Sequence, residues 1–183
     1  MSSSTGVRKR VIGGLDPSLR NFGMSKGLLT IEEGEQSFLP THIELVSPKD
    51  NKEIKYKNER DLQRAMELGE AMYAFFDGVD TIYVEIPVGS QSSRAMASYG
   101  ICIGVIASLG KRVVRVSAKD VKLIATNDPQ ASKEDMIDWA TSTYPELPWK
   151  TRKVKGEVNY SKINEHVADS LAAIHAGIKQ TEV

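Results

Sequence analysis

The chain has 183 residues, 40% hydrophobic and 26% charged, which suits one packed soluble domain and is too short for two. Its 24 Lys and Arg balance 24 Asp and Glu, so no global basic field announces nucleic acid, and a polyanion would have to meet a local patch. A lone cysteine, Cys102, excludes a disulfide framework and points to a reducing intracellular compartment, and no apolar run approaches the ~20 residues of a membrane span.

Residues 1–9 read as a flexible lead. Met1–Gly6 is Ser-rich without the apolar core of a secretory signal, and the folded domain is expected over 10–180. Arg10-Val11-Ile12 opens a first strand, which Pro17 and Ser18 close, leaving Asp16 at its end. Met24 to Ile31 and Ser37 to Val46 read as two more strands around the turn Glu33-Gly34-Glu35, giving an antiparallel meander.

A polar loop follows over 48–58. From Asn58 to Phe76 the spacing turns helical, with Leu62, Ala65, Met66, Leu68, Gly69, Met72, Tyr73 and Phe76 mostly on one face. Thr81 to Pro87 is a fourth strand, apolar on both sides like a central parallel strand until Glu85 near its end. Residues 91–109 form a helix rich in small residues, which allows close approach to the sheet or to a partner subunit.

Arg112 to Val116 is a short fifth strand. Ser117 and Ser132 each cap a short helix, the second reaching about Tyr144. Residues 145–162 read as irregular and basic, and a last helix runs from about Ile163 to Lys179. The order fits one α/β domain with a mixed sheet.

Four residues call for a joint account: Asp16, Glu85, His166 and Asp169. Each has an ordinary reading, respectively an Asx turn, an acid paired with an arginine, a hydrogen-bonded histidine and a solvated carboxylate. Cys102 reads as a small buried hydrophobe, and His42 and His175 as structural. His166 and Asp169 lie three apart, hence on one face of a helix kept slim by Ala168, Ala172, Ala173 and Ala176. If strands one and four are neighbours, Asp16 and Glu85 reach the same sheet edge. Three such carboxylates repel unless a cation intervenes, and Mg²⁺ or Mn²⁺ suits carboxylates with one imidazole. Two ions ~4 Å apart can activate water and stabilise the leaving oxygen of a phosphodiester, so the chemistry reads as phosphodiester hydrolysis.

Gly14-Leu15-Asp16-Pro17-Ser18 with Gly23, then Tyr83-Val84-Glu85, then His166-Val167-Ala168-Asp169-Ser170-Leu171-Ala172 stand in order over roughly residues 10–179. The set resembles the RuvC family of Holliday-junction resolvases, within the RNase H-like nucleases. The resemblance implies a single RNase H-like α/β domain whose mixed five-stranded sheet is flanked by helices. It implies a crossover junction endonuclease that nicks four-way DNA junctions with Mg²⁺, two ions per site by the chemistry above, and a homodimer that opposes two such sites. Carried over by position, Asp16, Glu85, His166 and Asp169 become the catalytic and metal-binding set, with His166 where some members have Asp. Lys122 and Lys133 become phosphate contacts.

Two features depart from the bacterial pattern. The aromatic wedge expected soon after the catalytic Glu is replaced at the nearest position by Val88, and no aromatic follows until Tyr99. The missing wedge extends the expected substrates to other branched DNA. The basic segment 148–162 is longer, which looks more like phage or other virus-encoded relatives acting in a host cytoplasm. For DNA, Lys119, Lys122, Lys133, Arg94, Arg152, Lys153 and Lys155 supply local positive charge. A non-cleaving junction-binding protein on the same fold is the alternative, favoured by the histidine. A sugar-kinase-type phosphotransferase would need two such domains, which 183 residues do not hold.

Overall fold

The structure is a computed structural model and describes residues 6–154 and 156–181; residues 1–5 of the expected lead lie outside them. The elements are β1 (Arg8–Ser18), β2 (Asn21–Glu32), β3 (Glu35–Val46), α1 (Lys57–Phe75), β4 (Thr81–Glu85), α2 (Ser93–Ser108) and β5 (Arg112–Val116). They continue as α3 (Ala118–Thr126), α4 (Lys133–Thr143), β6 (Thr151–Val154), β7 (Glu157–Tyr160) and, after one 3₁₀ turn, α5 (Glu165–Thr181). Five strands form one mixed sheet in the order β3-β2-β1-β4-β5. β1–β2–β3 is the antiparallel meander, while β4 pairs in parallel with both β1 and β5.

Period-two alternation along β1 decides what each face carries. Leu15 belongs to an apolar cluster with Phe22, Leu68, Met72, Phe76 and Ile106, on the side of α1 and α2. Ile12 belongs to the opposite cluster with Tyr83, Leu171 and Ile174, under α5 with α3 and α4 beyond. Asp16 shares the parity of Ile12, and Glu85 shares that of Tyr83. Both acids therefore fall on the α5 face, and the register that sets Gly14 beside Tyr83 and Leu15 beside Val84 brings them to adjacent strand ends.

α5 can lie on that face because glycines remove what would hold it off. A Cβ on Gly14 would overlap the Ser170 carbonyl oxygen, and one on Gly23 would overlap that of His166. From the helix side, a Cβ on Gly177 would strike the Tyr83 ring. The buried alanines 168, 172, 173 and 176 complete the slim contact.

Two expectations need correction. Residues 145–162 are not irregular throughout: β6 and β7 pair as an antiparallel hairpin. Its base is held by buried Asn164, which accepts from Lys150 N at 3.1 Å and donates to Lys150 O at 2.8 Å. Strands of four residues carry too little alternation to be detected in sequence. In α1, Leu62, Met66 and Tyr73 are exposed, while Asp61 and Phe75 are buried. The helix has a wider apolar arc than the sheet covers.

Candidate functional site

At the ends of β1 and β4, under the first turns of α5, a cleft of about 210 Å³ is lined by Asp16, Lys122, Lys133, Glu165, His166 and Asp169. Strand parity delivers Asp16. The helical repeat delivers Glu165, His166 and Asp169 within one turn. Helix α3, capped by Ser117 accepting from Asp120 N at 3.1 Å, presents Lys122, and the Ser132–Asp135 capping box of α4 fixes the helix start that carries Lys133.

His166 Nδ1 donates to Asp16 at 2.6 Å. Its Nε2 stands 3.2 Å from Asn21 Nδ2, which donates to it, while Asn21 Oδ1 accepts from Ser47 Oγ at 2.7 Å. Ser47 thus orients Asn21, Asn21 orients the ring, and the ring aims its proton at Asp16. Burial alone would lower the His166 pKa; the hydrogen bond and charge of Asp16 reverse this, and the net direction is upward.

The carboxylates are under electrostatic strain. Burial first, then Asp16, push Glu85 up to about 7, against a smaller pull from Lys122. Burial, then Asp16, Glu85 and Glu165, push Asp169 well above the usual carboxylate range. Glu85 thus senses Asp16, and Asp169 senses Asp16, Glu85 and Glu165, as expected of groups gathered without enough positive charge.

Asp16, His166 and Asp169 line the cleft, while Glu85 does not line it and is linked to Asp16 and Asp169 through charge alone. The donor set, three carboxylates and one imidazole, suits a hard divalent cation. Among the described residues no three His, Cys, Asp or Glu side chains already stand in a metal-binding arrangement. The Asp16–His166 bond satisfies one of the donors instead.

The candidate DNA contacts are dispersed. Lys122 and Lys133 flank the cleft, and Lys133 is paired with Glu165 at 2.8 Å. Lys119 is exposed on α3, and Arg152 and Lys153 are exposed on β6. Lys155 lies outside the described residues. Arg94 lies on the other helix layer, where both its Nη atoms bond Asp61, at 2.5 and 2.7 Å. Val88, at the wedge position, is 89% exposed. Glu165 and Asn21 escaped the sequence reading; adjacency to His166 was the one available signal for the first, and none existed for the second. Cys102 is buried, and burial pushes its thiol up to about 12, so it is inert as a nucleophile.

No family model and no curated protein matches the chain in sequence. Solved structures do match in shape. The RuvC of T. thermophilus in complex with Holliday junction substrate aligns with TM-score 0.58 at 17% identity, over 94% of this chain and 96% of that one. The Thermus thermophilus RuvC structure aligns with TM-score 0.57 at 18% identity, over 93% and 96%. The Fowlpox virus resolvase with Holliday junction DNA aligns with TM-score 0.48 at 14% identity, over 94% and 97%. The two Thermus matches give the chain a RuvC-like fold, an RNase H-like α/β domain whose mixed five-stranded sheet is flanked by helices. No helix among the described residues is long and apolar enough to cross a membrane.

Proposed function

We propose that this chain is a metal-dependent endonuclease that nicks four-way and other branched DNA. The observation that carries the reading is the gathering of Asp16, Glu85 and Asp169, remote in sequence, at one end of a RuvC-like sheet, where burial and neighbouring charge drive the pKa values of Glu85 and Asp169 upward. Asp16, Glu85, Asp169 and His166 would hold the cation, His166 after releasing Asp16. Two Mg²⁺ or Mn²⁺ ions bound there supply water activation and leaving-group stabilisation for phosphodiester hydrolysis.

The chain's own residues do the rest. Gly14 and Gly23 seat α5 so that His166 and Asp169 project over the ends of β1 and β4. Lys122 and Lys133 flank the cleft and meet phosphate oxygens, with Lys133 drawn from Glu165 onto the substrate. Arg152 and Lys153, exposed on the hairpin, add charge along the approach.

The active form is a homodimer. Leu62, Met66 and Tyr73 on α1 and Met96 and Ile103 on α2 leave a band of exposed apolar side chains on the layer opposite α5. α2 adds the exposed, slim positions Gly100, Gly104 and Ala107, which admit a close-packed helix from a second copy. The test is incubation of purified protein with labelled four-way junctions, in Mg²⁺ and in chelator. Nicking in Mg²⁺ alone supports the reading; no nicking at any Mg²⁺ or Mn²⁺ concentration removes it.

One observation favours a second reading, a junction-binding protein that does not cut. His166 already satisfies Asp16, and among the described residues no three donors stand ready for a metal. Junction binding indifferent to chelator, without nicking, would select it.

A further inference from the structure

A second cleft, of about 350 Å³, lies on the α1–α2 layer and is unused by the chemistry above. Arg20, Lys57, Arg60, Arg64 and Arg94 line it, and among the described residues Asp50 is the only acid on its wall. Its arrangement is built rather than accidental. Asp61, 2% exposed, sits beneath as an anchor, grips Arg94 through both carboxylate oxygens and takes a bond from Arg64 Nη1 at 3.3 Å. Asp50 takes Arg64 Nη2 at 2.7 Å and lies 3.9 Å from Arg60. Five cations thus face two carboxylates, one of them wholly spent on holding arginines in place. Among the described residues Arg60 Nε is buried and has no hydrogen-bond partner, and Arg20 is exposed.

We infer that this cleft binds backbone phosphates of the DNA, on the arm that leaves the cutting site. Guanidinium groups held in fixed orientation match the tetrahedral phosphate through paired N–H donors. Topology supplies the source of the phosphate. Arg20 follows Asp16 by four residues through the β1–β2 turn, so their Cα atoms are at most about 14 Å apart. That distance covers about four steps of one DNA strand at ~3.4 Å per phosphate along the axis. One duplex arm lying over this end of the sheet therefore reaches both clefts. Naming DNA as the source rests on the nuclease reading; the phosphate chemistry of the cleft does not.

The experiment measures binding of fluorescein-labelled duplex and four-way junction by anisotropy, in chelator, as salt is varied. The variants are Arg20→Gln, Arg60→Gln and the double substitution, chosen because neither arginine holds Asp61. The salt slope is expected to fall by about one for each arginine removed, equally for duplex and junction, and the double variant to bind roughly tenfold weaker or worse near 0.1 M salt. Arg60→Lys, which keeps the charge, should restore the slope. Because Arg20 is exposed, Arg20→Gln alone carries the test if the double variant does not fold. An unchanged slope overturns the inference even where affinity drops. If inorganic phosphate or ATP raises the melting temperature of wild type but not of Arg60→Gln, while the DNA slope stays unchanged, the cleft takes small anions and the DNA assignment fails. Chelator keeps the two readings separable, since absence of nicking would remove the nuclease and leave these slopes as they are.

Discussion

Glu85→Gln is expected to stabilise the metal-free protein above neutral pH, against the usual cost of altering a half-buried strand residue. Burial and the Asp16 carboxylate raise Glu85 from 4.5 to about 7 in the folded chain. Between those values the folded state holds a proton that the unfolded state has released, so stability declines as pH rises through that window. Above about pH 7 the folded state carries the whole penalty of the ionised acid. At about 1.4 kcal/mol per pH unit this is at most about 3 kcal/mol, and it fades as pH falls towards 4. Glutamine keeps the shape and removes the charge. In urea at pH 8 with chelator, the variant's midpoint should rise by up to about 1.5 M, taking a slope of about 2 kcal/mol per M. At pH 5 the two proteins should nearly coincide. Saturating Mg²⁺ should stabilise wild type and leave the variant little changed, narrowing or reversing the gap. A variant no more stable than wild type at pH 8 in chelator would refute the claim that these carboxylates are held together at a cost.

Gly14→Ala drives a methyl into the Ser170 carbonyl and displaces α5; we expect a loss of about 1–3 kcal/mol by urea denaturation, and nicking down about a hundredfold from the misplaced helix. Gly69→Ala, whose Cβ would meet only Val105 at 3.7 Å, is the control and should gain about 1 kcal/mol. Asp61→Ala strands Arg94 and Arg64 and should cost about 2 kcal/mol in the same assay, while leaving metal-dependent stabilisation in place. Mg²⁺ at a hundredfold excess over its Kd should stabilise wild type by about 2.7 kcal/mol, and Asp169→Asn should abolish that increment in a thermal melt. Wild type is expected to sediment as a dimer and Met66→Glu as a monomer, with paired incision of opposed strands lost in the variant.

The features legible in sequence were those written in local periodicity. The meander showed in its turn at Glu33-Gly34-Glu35, and α5 showed in the spacing of Val167, Leu171, Ile174 and Ile178. Asp16 and Glu85 could be placed at strand ends because Pro17 and Pro87 follow them, whereas the face they share follows only from the strand register. What remained hidden was written in partners distant along the chain. Asp61 sits in the polar part of a helical wheel, and its burial depends on Arg94, 33 residues later. Asn21 enters the site only because β1 and β2 fold back and α5 lands on them, 145 residues downstream. The β6–β7 hairpin owes its base to Asn164 rather than to strand propensity. The exposed Leu62, Met66 and Tyr73 show the limit of amphipathicity: an apolar arc records what a helix can bury, and a monomer need not bury all of it.

The central claim is that acids from β1, β4 and α5 share bound cations. Anomalous diffraction from crystals of the protein grown with Mn²⁺ tests it most directly. Mn²⁺ density is expected between Asp16, Glu85 and Asp169, with His166 turned away from Asp16. An ordered, well-diffracting site with no Mn²⁺ among those carboxylates, and the Asp16–His166 bond still closed at saturating metal, would contradict it.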